Sequence, residues 1–268
     1  MARQKGHIKY EGTIGDIRHF KIKGSKGHFA GLIGGPTAEQ IKKDPKFART
    51  RENMSEFSGS ASIAKSVRVA FSELVKNIAD PRLAGRLTGI MNKISKEDTS
   101  NKRGQRSFLL SQFSNSLQGL NFNKNVSFTG IFNAPYTITE NVGRNSSDLV
   151  IPAFNPMINI NVPAGATHFR IINAIGVVSD FAYQSTSKAY EPIEKKLNET
   201  SKVAYSDYLD VTVPTTADTT VTAALNGSPV MTADVAVINA IGIEFYQKVG
   251  TEYYLFTAGN SARIEKIF

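Results

Sequence analysis

The sequence predicts an α+β protein in which an N-terminal β-ribbon and helices precede an antiparallel β-sandwich domain. Two observations predict this fold class. Apolar residues recur at helical spacing between residues 45 and 94, and from Val126 onward short runs of Val, Ile, Thr, Phe and Tyr alternate with turn residues. The change of pattern falls between about residues 115 and 125. We therefore expect a basic ribbon-and-helix segment over 1–120 and a β-sandwich domain over 121–268.

The first element, over residues 7–33, is predicted to be a β-hairpin or small ribbon. Phe20 and Ile22 alternate with Lys21 and Lys23, and residues 23–27 contain the Gly and Ser typical of a turn. Because so small a ribbon is not stable alone in water, we expect it to lie on the rest of the protein or on a neighbouring subunit.

Two Asp-Pro pairs, Asp44-Pro45 and Asp80-Pro81, are typical of helix N-termini, with Asp as the N-cap and Pro as the first helical residue. The first helix contains a weak point at 58–60, where it could break in two. Its predicted buried face is Phe47, Met54, Phe57, Ala61, Ala64, Phe71 and Ile78. The second helix is predicted to bury Leu83, Leu87, Ile90, Met91 and Ile94, and a short third helix Leu109, Phe113, Leu117 and Leu120.

The β-sandwich is predicted from short strands separated by Asn, Gly, Pro and Ser clusters, without helical patterns between them. The candidate strands are 126–132, 136–140, 148–151, 157–162, 167–178, 203–213, 219–225, 235–247 and 252–257. Residues 186–202 are predicted to form a short helix or a long loop. The segment Ile172-Asn173-Ala174-Ile175-Gly176 recurs 66 residues later as Ile238-Asn239-Ala240-Ile241-Gly242, which indicates either a duplicated strand or a chance echo.

Charge is unevenly distributed along the chain. Residues 1–106 contain 22 Lys and Arg against 10 Asp and Glu, a balance of +12, whereas residues 107–268 contain 10 against 13, a balance of −3. Such asymmetry favours nucleic acid, another polyanion or an acidic partner, with a merely solvated basic face as the alternative. The residues we select as a candidate polyanion-binding set are Lys9, Arg18, Lys21, Lys23, Lys26, Arg49, Arg51, Arg82, Arg86, Lys93, Lys102, Arg103 and Arg106.

Aromatic residues accompany these cations only in the ribbon, at Tyr10, Phe20 and Phe29. They are placed either to stack on bases or to pack the ribbon against the helices. No zinc finger, RNA-recognition signature or helix-turn-helix pattern accompanies them, so sequence-specific binding is not predicted.

Motifs for chemistry are missing from the sequence. The chain has no Cys, which excludes disulfides and thiol chemistry. His7, His19, His28 and His168 form no metal-binding pattern, and the glycine-rich residues 31–37 lack the Gly-Lys-Ser/Thr ending of a phosphate-binding loop. His168 lies in a strand pattern, where a surface position competes with a role as a base. We therefore expect no catalytic, metal or cofactor site.

The first sixty residues resemble an uncharacterised bacterial protein family. The resemblance is carried by Ala2-Arg3-Gln4-Lys5-Gly6, by Gly12-Thr13-Ile14-Gly15-Asp16-Ile17, and by residues 44–53 with Glu56-Phe57 after them. It implies that the ribbon and the first helix form a defined unit. It implies no activity and no site residue.

These observations favour a non-enzymatic structural or interaction protein that self-assembles or builds into a larger particle, such as a phage-like particle, a virion or a fibre. The alternative is a nucleic-acid-associated protein that uses its basic segment, and a third class is an enzyme or carbohydrate-binding module. The basic N-terminus lacks an apolar signal region and no run approaches the roughly 18 apolar residues of a membrane span. We expect no signal peptide and a location in the cytoplasm or in a particle assembled there.

Overall fold

The computed structural model describes residues 2–22 and 25–268. It has the predicted α+β class, with an N-terminal antiparallel sheet, helices, and antiparallel sheets in the C-terminal half. The chain divides into two compact units, Met1–Arg51 and Glu52–Phe268. The predicted division near residue 120 lies inside the second unit.

The first unit contains a four-stranded antiparallel sheet in the order β1-β4-β3-β2. Its strands are β1 Ala2–Arg3, β2 Gly12–Ile14, β3 Ile17–Lys21 and β4 His28–Leu32. The predicted hairpin is the β3-β4 pair. The strands β1 and β2 extend it on both sides, because β1 pairs with β4 and β2 pairs with β3.

Two capping motifs follow this sheet. The helix α1, Ala38–Lys43, begins at a capping box in which Thr37 Oγ1 accepts from the Gln40 N–H at 3.2 Å and Gln40 Oε1 accepts from the Thr37 N–H at 2.7 Å. Asp44 Oδ1 then accepts from the Lys46 N–H at 2.9 Å and caps a 3₁₀ turn, Pro45–Phe47. The predicted N-cap at Asp44 is confirmed. The one predicted at Asp80 is wrong, because Asp80 Oδ1 accepts from the Arg82 N–H at 2.7 Å and the helix begins only at Leu83, with Arg82 as its N-cap and no side-chain cap.

The main helices are α2 Ala48–Ala70, α3 Ser72–Ile78 and α4 Leu83–Glu97. The helix does not break at the weak point 58–60, since α2 continues to Ala70. Gly59 has a packing role instead, since a Cβ there would lie 2.4 Å from Phe108 Cε2. The glycine thus lets α2 approach the rings of Phe108 and Tyr190.

The predicted buried face of α2 is wrong in its first half. Met54 and Phe57 are 58% and 62% exposed. The helix instead buries Glu56 and the small residues Gly59 and Ser60 there, before Ile63 begins the apolar part of its buried face. In α4 the prediction holds for the buried side chains Leu83, Leu87, Met91 and Ile94.

The second unit contains a six-stranded sheet in the order β10-β7-β13-β14, with β11 beside β7 and β15 beside β13. It also contains a three-stranded sheet, β12-β6-β5, and a two-stranded sheet, β8-β9. The strands are β5 Thr137–Glu140, β6 Ser146–Ile151, β7 His168–Ser179, β8 Phe181–Gln184, β9 Ala189–Pro192, β10 Ser201–Tyr205, β11 Leu209–Asp210, β12 Thr219–Ala224, β13 Val235–Val249, β14 Glu252–Leu255 and β15 Ser261–Ile267.

Several short predictions are wrong in this region. Residues 126–132 and 157–162, predicted as strands, contain the one-turn helices α5 Phe128–Ile131 and α6 Pro156–Asn159. The predicted helix around Leu109–Leu120 contains only a 3₁₀ turn, Ser114–Ser116, because residues 119–122 run beside β15 and donate the Gly119 N–H to Ile264 O at 2.8 Å. The strands β8, β9 and β15 were not predicted.

The six-stranded sheet is covered on both faces. On one face, Ile172, Ala174 and Val178 of β7 pack with the buried side chains of α2, α3 and α4. On the other face, Ile171 and Ile175 pack with apolar residues of the three-stranded sheet. The second unit therefore has three layers, with β7 and β13 at the centre, and the predicted sandwich is its two β layers.

The repeated segments pair directly with each other. In the antiparallel β7-β13 ladder, Ala174 lies opposite Ala240, Ile172 opposite Gly242 and Gly176 opposite Ile238. The two copies of the five-residue segment are thus related by a local two-fold axis between the two alanines. The glycines lie inside the strands, where a Cβ at either one would meet a neighbouring atom at 3.0 Å.

The asparagines of the repeat join the two β layers. Asn239 Nδ2 donates to Asn173 Oδ1 at 2.7 Å, and Asn173 Nδ2 donates to the backbone oxygens of Ser147 at 2.9 Å and Val221 at 2.8 Å. Both asparagine side chains are fully buried. Since buried amides without partners are destabilising, this network favours one register of the sandwich.

Candidate nucleic-acid interface

The positive charge belongs almost entirely to the first unit. Residues 1–51 contain 12 Lys and Arg against 4 Asp and Glu, a balance of +8, and residues 52–268 contain 20 against 19, a balance of +1. The electrostatic field of this net positive charge attracts polyanions, and its main effect is on association with charged partners. This charge places the candidate interface on the N-terminal sheet.

This sheet has two distinct faces, which the strand register defines. Residues directly opposite one another in an antiparallel pair project to the same face. One face, which we call the aromatic face, contains Arg3, Thr13, Arg18, Phe20 and Phe29. The other, which we call the apolar face, contains Ile14, Ile17 and Leu32 at one end, and further along the strands His19, Ala30, Lys21 and His28.

The aromatic face presents two rings and two guanidinium groups. The Phe20 and Phe29 ring centroids lie 6.2 Å apart with an interplanar angle of 29°. The Arg18 guanidinium lies 5.9 Å from the Phe20 ring centroid. Arg3, beside Phe29, donates from Nη2 to the Lys26 backbone oxygen at 2.9 Å. The strands thus arrange cations next to half-buried rings, as base-stacking proteins do.

The apolar face carries a row of exposed aliphatic side chains. Ile14 pairs with Ile17, and Ile17 pairs with Leu32, so the three lie side by side across three strands. They are 58%, 42% and 80% exposed. No described residue of the first unit is buried. The row is thus an uncovered apolar surface, which is typical of interaction sites.

The predicted cations of the first unit have different surroundings. Lys9, Lys21, Lys26 and Arg49 are exposed, Lys9 Nζ donates to the backbone oxygens of Gln4 and Gly6, and Lys23 lies outside the described residues. Arg51 donates to the Ile41 and Asp44 backbone oxygens at 2.8 and 2.9 Å, at the C-terminal end of α1. Its guanidinium therefore stabilises local structure.

Three predicted cations of the second unit are held by carboxylates. Arg86 Nη2 lies 2.6 Å from Asp80 Oδ2, Arg103 Nε lies 3.5 Å from Glu52 Oε2, and Arg106 Nε lies 3.8 Å from Glu56 Oε1. Arg86 also donates to the Asn121 and Phe122 backbone oxygens. These contacts tie α2 and α4 to the loops beside them, so we leave the three arginines out of the candidate interface.

The remaining predicted cations, Arg82, Lys93 and Lys102, are exposed side chains of the second unit. Arg82 lines a depression beside α4 with Asp80, Arg86 and Lys124. Burial raises the pKa of Asp80, but hydrogen bonds from the Lys124 and Arg82 N–H groups and the Arg86 guanidinium outweigh it and bring the pKa below its ordinary value. Asp80 is thus an anion within this depression, which makes it a poor site for phosphate.

A stack of aromatic rings and cations in the second unit was not predicted from the sequence. The Arg170 guanidinium lies 4.4 Å from the Tyr205 ring centroid and 4.8 Å from that of Tyr208, and the Tyr208 and Tyr253 rings stack at 3.8 Å. Lys248 lies over Tyr253 at 5.2 Å. The members come from four separate segments, so no local pattern in the sequence could reveal them.

The stack is accompanied by two carboxylates that fix tyrosine hydroxyls. Tyr205 donates to Glu73 Oε1 at 2.5 Å and Tyr246 donates to Glu244 Oε2 at 2.8 Å. Burial raises the pKa of both tyrosines, and the hydrogen bonds to the carboxylates raise it further. Both hydroxyls therefore remain protonated donors, which suits a structural role and not proton transfer.

His168 is the first residue of β7, and its ring meets the Tyr253 ring edge to face at 5.0 Å.

Within the described part of the chain, no group of three or more His, Asp or Glu residues is placed to hold a metal ion. No helix of the described residues is long and apolar enough to cross a bilayer.

A further exposed apolar region lies on the second unit, in a shallow groove between α2 and α4. Phe57 borders it together with Gly85, Thr88, Gly89 and Asn92. A Cβ added at either glycine would meet open space.

Comparison of the whole chain with known proteins finds no matching family model, no matching curated protein and no matching solved structure.

Proposed function

We propose that this chain is a non-enzymatic structural protein that assembles with copies of itself or into a larger particle through its N-terminal unit. The proposal rests on the combination of two features in the first unit: the exposed apolar row of Ile14, Ile17 and Leu32, and a net charge of +8. In addition, no described residue of this unit is buried. A phage-like particle, a virion or a fibre is the kind of assembly that such a unit suits.

The energetics of the first unit support this proposal. Ordering a residue costs about 1–2 kcal/mol of backbone entropy, and apolar burial normally offsets that cost. The described residues of the first unit bury none of their side chains fully. Covering Ile14, Ile17 and Leu32 with a partner would supply the missing burial, at about 25 cal/mol for each Å² of apolar surface.

The second unit supports a structural role in another way. The buried carboxylate of Glu244 is engaged within the fold, where it accepts hydrogen bonds from Asn77 Nδ2 and from the Tyr246 hydroxyl. The groove beside Phe57 adds exposed apolar surface to a unit that otherwise has a complete core. Such a body suits stacking against neighbours.

A second candidate function is nucleic-acid binding by the first unit. The charge balance of +8 and the aromatic face favour it. It requires no assembly, and it is compatible with assembly because the aromatic and apolar faces lie on opposite sides of the sheet.

Sedimentation velocity of the full chain over a range of concentrations tests the assembly proposal. We expect the natural chain to form species larger than a monomer, and the triple variant Ile14→Ser, Ile17→Ser, Leu32→Ser to sediment mainly as a monomer. The matched control replaces three exposed valines of the second unit, Val142→Ser, Val213→Ser, Val230→Ser, and should assemble like the natural chain. A natural chain that is monomeric at every concentration would overturn the proposal, as would a control that dissociates equally.

A further inference from the structure

The aromatic face of the N-terminal sheet has the composition and geometry of a stacking platform for bases. We infer that it binds single-stranded nucleic acid, with bases stacked on Phe20 and Phe29 and phosphates contacted by Arg3 and Arg18. The inference rests on the second candidate function, and it adds the strandedness of the ligand and the side chains that select it.

The arrangement of the two rings favours a single strand. They are stacked on each other, with centroids 6.2 Å apart and an interplanar angle of 29°, so bases would extend this stack from its outer sides. Bases paired inside a duplex cannot present their faces to these rings, whereas those of a single strand can.

The cations lie where the backbone of such a strand would pass. Arg3 pairs with Phe29 across β1 and β4, and Arg18 lies two residues before Phe20 on β3. Arg18 pairs with Gly31, which has no side chain to block the surface beside it. The two guanidinium groups therefore flank the ring pair from different strands, and neither forms an ion pair with a carboxylate among the described residues.

Charge complementarity identifies the occupant as a polyanion. The first unit has a balance of +8, so an acidic backbone is attracted to it at long range. A purely electrostatic site would not need aromatic rings on the same face, and an apolar protein partner would not match Arg3 and Arg18. A single strand uses both features at once.

The test is fluorescence anisotropy of the full chain with a labelled 20-nucleotide oligothymidine and with a labelled 20-base-pair duplex, each at several salt concentrations. We expect tighter binding of the single strand. The variant F20L/F29L, which keeps apolar side chains but removes the rings, should weaken single-strand binding about ten-fold or more and leave duplex binding unchanged. The variant F20Y/F29Y, which keeps the rings, should bind like the natural chain.

The arginines have a different expected effect. The variant R3Q/R18Q should weaken the binding of both ligands and lower the salt slope of single-strand binding by about 0.7 for each lost phosphate contact. A control variant in the second unit, V142S at an exposed valine, should change neither affinity.

Three results would overturn the inference. Equal binding of single strand and duplex with no effect of F20L/F29L would leave only polyanion contact, and the nucleic-acid function would survive without stacking. Loss of binding in F20Y/F29Y as well as F20L/F29L would show that the rings do not act by stacking. Absence of binding to either oligonucleotide at low salt would overturn the inference together with the nucleic-acid function.

Discussion

The two units of this chain are ordered by different means. Glu52–Phe268 has a continuous core in which α2, α3 and α4 cover one face of a six-stranded sheet, and its charges nearly balance. Met1–Arg51 has strand ladders and helix caps, a balance of +8, and no buried described residue. The difference teaches that hydrogen bonds and turns define the shape of the first unit, whereas apolar burial holds the second together.

The largest expected difference between the units concerns a phenylalanine in each. Phe71, at the junction of α2 and α3, is fully buried and meets Phe122 edge to face at 5.7 Å. We expect Phe71→Ala to lower the free energy of unfolding of the second unit by about 3–5 kcal/mol, because the cavity adds to the lost burial. Urea unfolding followed by circular dichroism measures it.

The matched control is Phe29→Ala in the first unit. Because Phe29 is only half-buried on its sheet, we expect the same urea transition to shift by less than about 1 kcal/mol. An equal shift for the two variants would show that the units share one cooperative core, and the comparison would fail.

The second difference concerns ion pairs. Asp80 Oδ2 and Arg86 Nη2 lie 2.6 Å apart with 8% of the Asp80 side chain exposed, whereas Glu39 and Lys43 of α1 pair at 2.7 Å with both side chains mostly exposed. We expect Asp80→Ala to destabilise the second unit by about 3 kcal/mol, since it leaves the Arg86 guanidinium without its anion. Glu39→Ala should cost less than about 0.5 kcal/mol in the same urea experiment.

The Asp80 pair also predicts a pH dependence. The pKa of the Asp80 carboxyl group is lower in the folded chain than its ordinary value of 3.8. The folded state therefore binds the proton less readily than the unfolded state does. Its contribution is therefore complete above pH 3.8 and is lost as the pH falls through the folded pKa. Repeating the urea titrations between pH 6 and pH 3 should show a steeper acid loss for the natural chain than for Asp80→Ala, and parallel curves would contradict this.

The smallest expected effect distinguishes two helical glycines of the second unit. Gly59 faces Phe108 and Tyr190, and a Cβ there would overlap both rings. We expect Gly59→Ala to cost about 1–3 kcal/mol through overpacking. Gly85→Ala, on the open side of α4, should stabilise by about 0.5–1 kcal/mol because alanine is the better helix former. Thermal unfolding measures both, and a stabilising Gly59→Ala would show that α2 does not need its close approach.

The long elements of this fold could be predicted from the sequence. The Asp44 cap, the buried face of α4 and the strands β7 and β13 follow from local patterns that span many residues. The errors concern features that depend on distant residues. Gly59 predicts only a weak point in the helix, because the rings that it contacts lie about 50 and 130 residues further along the chain. The predicted strands 126–132 and 157–162 overlap one-turn helices, because short apolar runs do not distinguish one helical turn from a strand.

The candidate interface was predictable in part. Arg18, Phe20 and Phe29 were selected from composition and alternation, but their common face depends on the register of β3 against β4. Arg3 was not selected, because only the pairing of β1 with β4 places it beside Phe29. The opposite error is the selection of arginines that already have partners within the chain, since a count of positive charges cannot reveal such contacts. These arginines are Arg51, Arg86, Arg103 and Arg106.

The paired repeat at the centre of the second unit has a consequence for folding at high concentration. Ile172–Gly176 and Ile238–Gly242 have identical side chains. The antiparallel ladder between them is therefore the ladder that either segment would form with a copy of itself. Two molecules meeting through this segment of β7 could form the same five-residue ladder that β7 forms with β13 within one chain. The native partner is favoured by proximity in dilute solution and by the pairs that flank the repeat, and we expect refolding at high concentration to increase the exchange of strands between molecules.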